Sequence, residues 1–175
     1  MIDFPKIKLL ISDCDGVLTD GLIIYDSNGV ETKHFSAHDG LGIMLLKYSA
    51  LEIAVITGRS SPNLAKRCQD LGIKYLYQNI KNKQKQLDEL LAQLGLDYSN
   101  VAYIGDDWND FLAMRNCQLK IAPRNARHAF QQTVDYVTEH AGGDGAVRDA
   151  IEYILQNQGV FSGVLERFIE SLEKE

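Results

Sequence analysis

Cysteine, proline, long apolar runs and basic clusters are all scarce in this chain of 175 residues. Its three cysteines, Cys14, Cys68 and Cys117, are an odd number with no CxxC pair. That excludes a secreted disulfide framework and points to a reducing compartment, the cytoplasm. Three prolines leave no proline-rich linker. With no repeat or low-complexity segment either, one domain over residues 1–175 is expected. The most apolar stretch, Gly40 to Gly58, is interrupted by Lys47 and Glu52 and does not read as a membrane span. Met1-Ile2-Asp3-Phe4-Pro5 lacks the basic and then apolar pattern of a signal peptide. Lys and Arg total 18 against 24 Asp and Glu, a net charge of −6, so no nucleic-acid or membrane partner is expected. Any anionic ligand must be met by a local cationic pocket.

What is present is a regular alternation of short apolar runs and helical patterns. Ile7–Ser12, Ile53–Ile56, Ile73–Tyr77, Val101–Ile104, Leu119–Ala122 and Val134–Val137 read as strands. Helices are expected from about Gly40 to Ser49, from Pro62 to Leu71, around Leu87–Leu94, up to about Arg115, near Arg127–Gln131 and around Val147–Leu155. Leu22–Tyr25 and Val30–Phe35 flank Asp26-Ser27-Asn28-Gly29, a hairpin signal. Such alternation implies an α/β fold, a mostly parallel sheet with helices on both faces and all strand C-termini at one edge. In the tail about 142–175, Val160, Phe161, Val164, Leu165, Phe168, Ile169 and Leu172 form a wide apolar stripe. That stripe suits docking on its own domain or a subunit interface. Its acidic polar face argues against a membrane surface.

Two acidic loops follow strands. Asp13-Cys14-Asp15-Gly16 comes after the first, and Gly105-Asp106-Asp107-Trp108-Asn109-Asp110 opens where Val101–Ile104 ends. Either loop alone would pass for a solvated turn. Thr57-Gly58-Arg59-Ser60, however, follows another strand, and Lys83 opens the next helix. A hydroxyl, a backbone amide, a guanidinium and an ammonium suit phosphate, while paired carboxylates suit a hard divalent cation. Brought to one sheet edge, these groups make a site for phosphate plus metal. Cys14 is not a thiol-phosphatase nucleophile, because Asp20 occupies the position six residues on where that chemistry needs arginine.

In this order, the four groups resemble the motifs of the haloacid dehalogenase superfamily of phosphohydrolases, over almost the whole chain. The resemblance implies a Rossmann-like parallel sheet sandwiched by helices, with Mg²⁺ as cofactor. It casts Asp13 as the nucleophile that becomes an aspartyl phosphate, and Asp15 as the acid and base for leaving group and water. Thr57, Gly58 and Lys83 would hold the phosphoryl oxygens, and Asp13, Asp15 (by its main-chain carbonyl) and Asp106 the metal. Only a hairpin and one helix separate Asp15 from Thr57, and one helix separates Lys83 from the last motif, which leaves no room for a cap domain.

Further wording resembles the capless branch that dephosphorylates 3-deoxy-D-manno-octulosonate 8-phosphate. It lies in Asp15–Gly21, Phe35-x-x-x-Asp39-Gly40-x-Gly42-Ile43, Arg67-Cys68-x-x-Leu71-Gly72-Ile73 and Gly142-Gly143-x-Gly145-Ala146-Val147-Arg148. This implies a sugar-acid phosphate substrate contacted by Ser36, Ala37, His38, Asp39, Gly40, Arg59, Arg67, Asn109 and Arg148. It also implies a cytoplasmic homotetramer in which a neighbour's hairpin covers each site and the glycine-rich segment closes over the substrate. His38 stands where that branch usually has arginine, and Met44 where it commonly has a basic residue. The alternative is a nonulosonic acid 9-phosphate phosphatase, whose members tend to carry glutamate at the position of Arg59. A rival of another class, the phospho-receiver module, uses similar groups but puts its phospho-acceptor on a central strand rather than in the first loop.

Overall fold

A computed structural model describes residues 1–174. Six strands form one sheet in which every neighbouring pair is parallel: β1 (Leu9–Ser12), β4 (Glu52–Ile56), β5 (Tyr75–Tyr77), β6 (Val101–Ile104), β7 (Leu119–Ala122) and β8 (Tyr136–Val137). Their order is β5-β4-β1-β6-β7-β8. A two-stranded antiparallel hairpin, β2 (Ile24–Tyr25) and β3 (Glu31–Thr32), leaves the sheet after β1. The helices are α1 (Ala37–Leu45), α2 (Pro62–Leu71), α3 (Lys83–Leu94), α4 (Trp108–Met114), α5 (His128–Gln131), α6 (Ala146–Asn157) and α7 (Phe161–Leu172). Among the described residues there is no cap domain.

Alternation along the strands builds two cores. Leu10, Ile53, Val55, Ile104 and Ile121 face α1, α2, α6 and α7. Leu9, Ile11, Ala54, Ile56, Tyr103 and Ala122 face α3, α4 and α5. Burial on both faces is why these strands read as continuous apolar runs. The chain runs from β1 outward to β5, then returns to lay β6 on the other side of β1. The C-terminal end of β1 is therefore the switch point of the sheet, where such folds open a crevice.

Local details depart from the sequence reading. The first strand starts at Leu9 rather than Ile7, because Phe4–Lys6 forms a 3₁₀ turn just before it. Helix α1 starts at Ala37 rather than Gly40, because the Ser36 hydroxyl caps it, accepting the His38 N–H at 3.1 Å. The hairpin ladder is shorter than expected. Leu22, Ile23, Tyr25 and Val30 are all exposed in the single chain, so no burial rewards further pairing.

The tail folds back on its own core through Val164, with Phe161 and Phe168 packed against it. Arg167 Nη2 donates to the Tyr48 carbonyl at 2.6 Å. Leu165, Ile169 and Leu172 stay exposed, so one chain buries only part of the stripe. The glycine-rich segment, expected to close over the substrate, packs in the single chain beside the loop that follows β1. Its Gly143 N–H donates to the Val17 carbonyl at 3.0 Å, and a Cβ on Gly142 would overlap the Gly16 carbonyl. It braces the first acidic loop.

Asp39, expected to touch substrate, has a structural task. Helix α6 begins after Gly145, which has no side chain to cap it. Asp39, 2% exposed, supplies the missing acceptor from α1, taking the Arg148 N–H on Oδ1 at 3.0 Å. Asp39→Ala is expected to cost about 1–2 kcal/mol, a fall in Tm of roughly 2–8 °C by thermal denaturation. An unchanged Tm would remove this capping role.

Candidate active site

Four strand ends and helix starts meet at the switch point. Asp13 follows β1 with its backbone N–H on the Ile104 carbonyl at 3.1 Å, so the ladder itself aims the residue. Its Oδ1 accepts the Cys14 N–H at 2.7 Å, and its Oδ2 lies 2.8 Å from Lys83 Nζ at the first position of α3. Lys83 Nζ also lies 2.7 Å from Asp110 Oδ1, which accepts the Tyr103 hydroxyl at 2.8 Å. Asp13, Asp106 and Asp110 bring carboxylate oxygens within 4.8 Å of one another. Asp110 Oδ2 is buried without a hydrogen-bond partner among the described residues. Gly16, at φ +87°, makes the close approach possible, since a Cβ there would occupy the place of the Asp106 carboxylate.

Three carboxylates around one ammonium leave an excess of buried negative charge. Burial, and next the charge of Asp110, hold the Asp13 carboxyl well above the usual carboxylate range. Lys83 and the Cys14 N–H pull it back only in part. Burial and the charges of Asp110 and Asp107 push Asp106 up to about 7. For Lys83 burial works against the charge, yet Asp110 and Asp13 outweigh it and raise its pKa. The Cys14 thiol, fully buried, is pushed far up by that burial and is inert.

Above this cluster opens a cleft of about 610 Å³ lined by Asp13, Asp15, Gly21, Thr57, Gly58, Arg59, Asp106, Asp107, Trp108 and Asn109. Thr57 is fixed by its N–H on the Tyr77 carbonyl at 2.9 Å, and its Oγ1 accepts the Arg59 N–H at 3.4 Å. Of the expected site residues, Asp13, Asp15, Thr57, Gly58, Arg59, Asp106 and Asn109 thus share one cleft, with Lys83 beneath it.

Ser36, Ala37, His38, Asp39, Gly40, Arg67 and Arg148 are not in that lining. Arg67 Nη2 donates to the Ser36 carbonyl at 3.0 Å, and a Cβ on Gly40 would collide with the Arg67 guanidinium. Arg148 Nε donates to Glu152 at 2.7 Å along α6. Three participants, Asp110, Glu31 and Lys33, had no role assigned from the sequence. Asp110 belongs to the quoted motif, but only the fold turns it under Lys83. Trp108 both packs edge-to-face on Phe111 and Phe130 and lines the cleft. Glu31 and Lys33 reach the site from the hairpin, signalled in sequence only by their i, i+2 spacing.

Paired strand-end carboxylates, a buried lysine and a hydroxyl at a parallel switch point define a haloacid dehalogenase-like hydrolase, and that family's model matches residues 75–151. The 3-deoxy-D-manno-octulosonate 8-phosphate phosphatase of Escherichia coli is 44% identical over 154 residues, 88% of this chain and 82% of that one. The Haemophilus influenzae enzyme is 42% identical over 154 residues, 88% of this chain and 86% of its own. A crystal structure of the Moraxella catarrhalis enzyme, with magnesium ion, phosphate ion and KDO, superposes with a TM-score of 0.89 at 42% identity, covering 94% of this chain and 95% of that one. The cobalt-bound Haemophilus influenzae structure gives 0.86 at 41%, covering 91% and 93%. The chain belongs to the 3-deoxy-D-manno-octulosonate 8-phosphate phosphatase family.

The charge excess has a measurable sign. Asp106 has a folded pKa near 7 against an ordinary 3.8. The native state therefore holds its proton more tightly, and stability is lost as pH rises through that window. In metal-free buffer, Asp106→Asn is expected to be more stable than wild type at pH 8, with the advantage vanishing below about pH 4. Urea denaturation at both pH values measures it, and a pH-independent difference would contradict it.

Proposed function

We propose that this chain hydrolyses 3-deoxy-D-manno-octulosonate 8-phosphate to the free sugar acid and inorganic phosphate, a step of lipopolysaccharide precursor synthesis, using Mg²⁺. The observation that carries the reading is the buried Asp13 carboxylate, held between Lys83 and the Cys14 N–H at the floor of a cleft with Thr57 and Arg59 on its wall.

An Asp13 oxygen attacks phosphorus while the ester P–O bond breaks, and Asp15 delivers its proton to the departing alkoxide. Water then attacks the aspartyl phosphate and gives its proton to Asp15, and the Asp13–phosphorus bond breaks to release phosphate. Thr57, the Gly58 amide and Lys83 hold the phosphoryl oxygens. This offsets the repulsion between an anionic nucleophile and an anionic substrate. The donor set suits a hard divalent cation, because Asp13 and Asp106 are carboxylates whose pKa values are raised by burial first and by neighbouring negative charge next. They and the Asp15 carbonyl would hold Mg²⁺, which supplies charge neutralisation at the phosphoryl group.

Arg59 and Asn109 line the cleft and would meet the sugar acid. Ala37 and His38 are exposed at the start of α1, beside Ser36, outside the cleft of their own chain. They, the apolar hairpin face of Leu22, Ile23, Tyr25 and Val30, and the outer stripe of α7 support a homotetramer with shared sites. Three free, buried cysteines suit the cytoplasm. No helix among the described residues is long and apolar enough to cross a membrane.

Asp13→Asn is expected to fold normally and lose more than ~10³-fold in kcat, read by phosphate release. A folded variant retaining a tenth of wild-type activity would end the assignment. EDTA should abolish turnover and Mg²⁺ restore it. The octulosonate 8-phosphate should exceed a nonulosonic acid 9-phosphate in kcat/KM, with Arg59→Glu narrowing the gap; the reverse preference would select the nonulosonate reading. Light scattering should give four times the chain mass, and a monomer would refute the shared site.

A further inference from the structure

The hairpin delivers two charges to the site, and they close a ring. Glu31 and Lys33 lie two apart in extended chain and so point the same way. Lys33 Nζ pairs with Asp15 Oδ1 and lies 2.9 Å from Glu31 Oε1. The Arg59 guanidinium pairs with Glu31 Oε2 and lies 3.8 Å from Asp15 Oδ2. Two carboxylates and two cations thus alternate across the first acidic loop, the hairpin and the Thr57–Ser60 loop. The members are not equivalent. Arg59 keeps a side chain 43% exposed, whereas that of Lys33 is 2% exposed. Burying an ammonium is expensive unless its partners are held in place, and surface lysines ordinarily keep the charged head in water. Lys33 instead runs its whole side chain inward, to Asp15 Oδ1 and Glu31 Oε1.

We propose that Lys33 is a positioning residue for Asp15, holding Oδ1 so that the transferable proton sits on Oδ2, the oxygen on the Arg59 side of the cleft. The inference rests on the reading of Asp15 as proton donor and acceptor. An oxygen already accepting from an ammonium is a poor site for a proton, because two donors would then face each other. The other oxygen is left to carry it. The fixed Oδ1 contact also restricts rotation of the carboxyl group, and placement within a few tenths of an ångström is what proton transfer in a site demands. Asp15 and Glu31 face the Lys33 ammonium with opposite charge from two sides. Glu31 holds the ring together by bridging Lys33 to Arg59.

A leaving-group comparison on the Mg²⁺-loaded enzyme tests this. A sugar-acid phosphate leaves as an alkoxide and needs a proton, whereas p-nitrophenyl phosphate leaves as a stable phenolate and needs none. Lys33→Met is expected to lower the single-turnover rate of phosphoryl transfer, read as release of the alcohol or phenol, by ~10–10²-fold on the sugar-acid phosphate and by less than about threefold on p-nitrophenyl phosphate. Hydrolysis of the aspartyl phosphate, where Asp15 serves both substrates as base, is slowed alike. Lys33→Arg, which keeps the cation, should recover the sugar-acid rate to within about threefold of wild type. Combining Lys33→Met with Asp15→Asn should add no further loss to Asp15→Asn alone. Should Lys33→Met not fold, Lys33→Gln takes its place in the same comparison. Equal losses on both substrates, or no loss on either, would overturn the proposal. If Asp15→Asn shows the leaving-group dependence and the Lys33 variants do not, the proposal fails alone. If Asp15→Asn also lacks it, the assignment of Asp15 fails and the proposal with it.

Discussion

The architecture depends on one electrostatic constraint: three carboxylates, Asp13, Asp106 and Asp110, must be held together around the single ammonium of Lys83. Left to itself such a cluster would spread into water, where each charge is solvated at little cost. It stays together because each member is fixed by something stronger than its own preferences. Asp13 is fixed by the ladder between β1 and β6, Lys83 by the first turn of α3, and Asp110 by α4 and the Tyr103 hydroxyl. An ammonium at a helix N-terminus faces an unfavourable dipole as well. Its charge is retained there only because two carboxylates surround it. The site thus stores unfavourable negative charge that a divalent cation can neutralise.

The ring of Asp15, Lys33, Glu31 and Arg59 follows the opposite logic. Two negative and two positive charges alternate, so it closes on itself without a counter-ion and can sit partly buried at the cleft mouth. The over-charged cluster lies beneath the cleft, where a metal and phosphate would arrive. The balanced ring lies beside it, where a rigid, neutral frame is compatible with an incoming anion. Tyr25 extends that frame, its hydroxyl 3.5 Å from Arg59. A hairpin with little ladder of its own therefore gains an anchor from charge rather than from burial.

Much of this was legible in the amino-acid sequence, for identifiable reasons. Strands such as Val101–Ile104 and helices such as Pro62–Leu71, which ends at Gly72 in the left-handed conformation, carry local signals strong enough to survive packing. The acidic loops were legible because their residue types are chemically unusual at strand ends. The hairpin and the tail were read less well. Their limits depend on how much apolar surface finds a cover, and that is a property of neighbouring elements or chains. The family-like wording around Asp39, Gly40, Arg67 and Arg148 suggests contact with substrate. In the single chain, however, Asp39 caps α6 and Arg67 braces Ser36, because glycines at 40 and 42 let α1 lie close to α2 and α6.

Sequence by itself determined the alternating α/β pattern, the strand that each acidic loop terminates, and the inventory of carboxylates, hydroxyl and ammonium from which the chemistry is made. These are local quantities, set by periodicity and by residue type. Tertiary structure alone decided which carboxylates share a cation. Asp110 lies 27 residues from Lys83 along the chain and Lys33 lies 18 from Asp15, and only crossover and hairpin geometry bring each pair into contact. Electrostatic partnership is a function of distance in space and of burial, and neither is written in the spacing of residues along a chain.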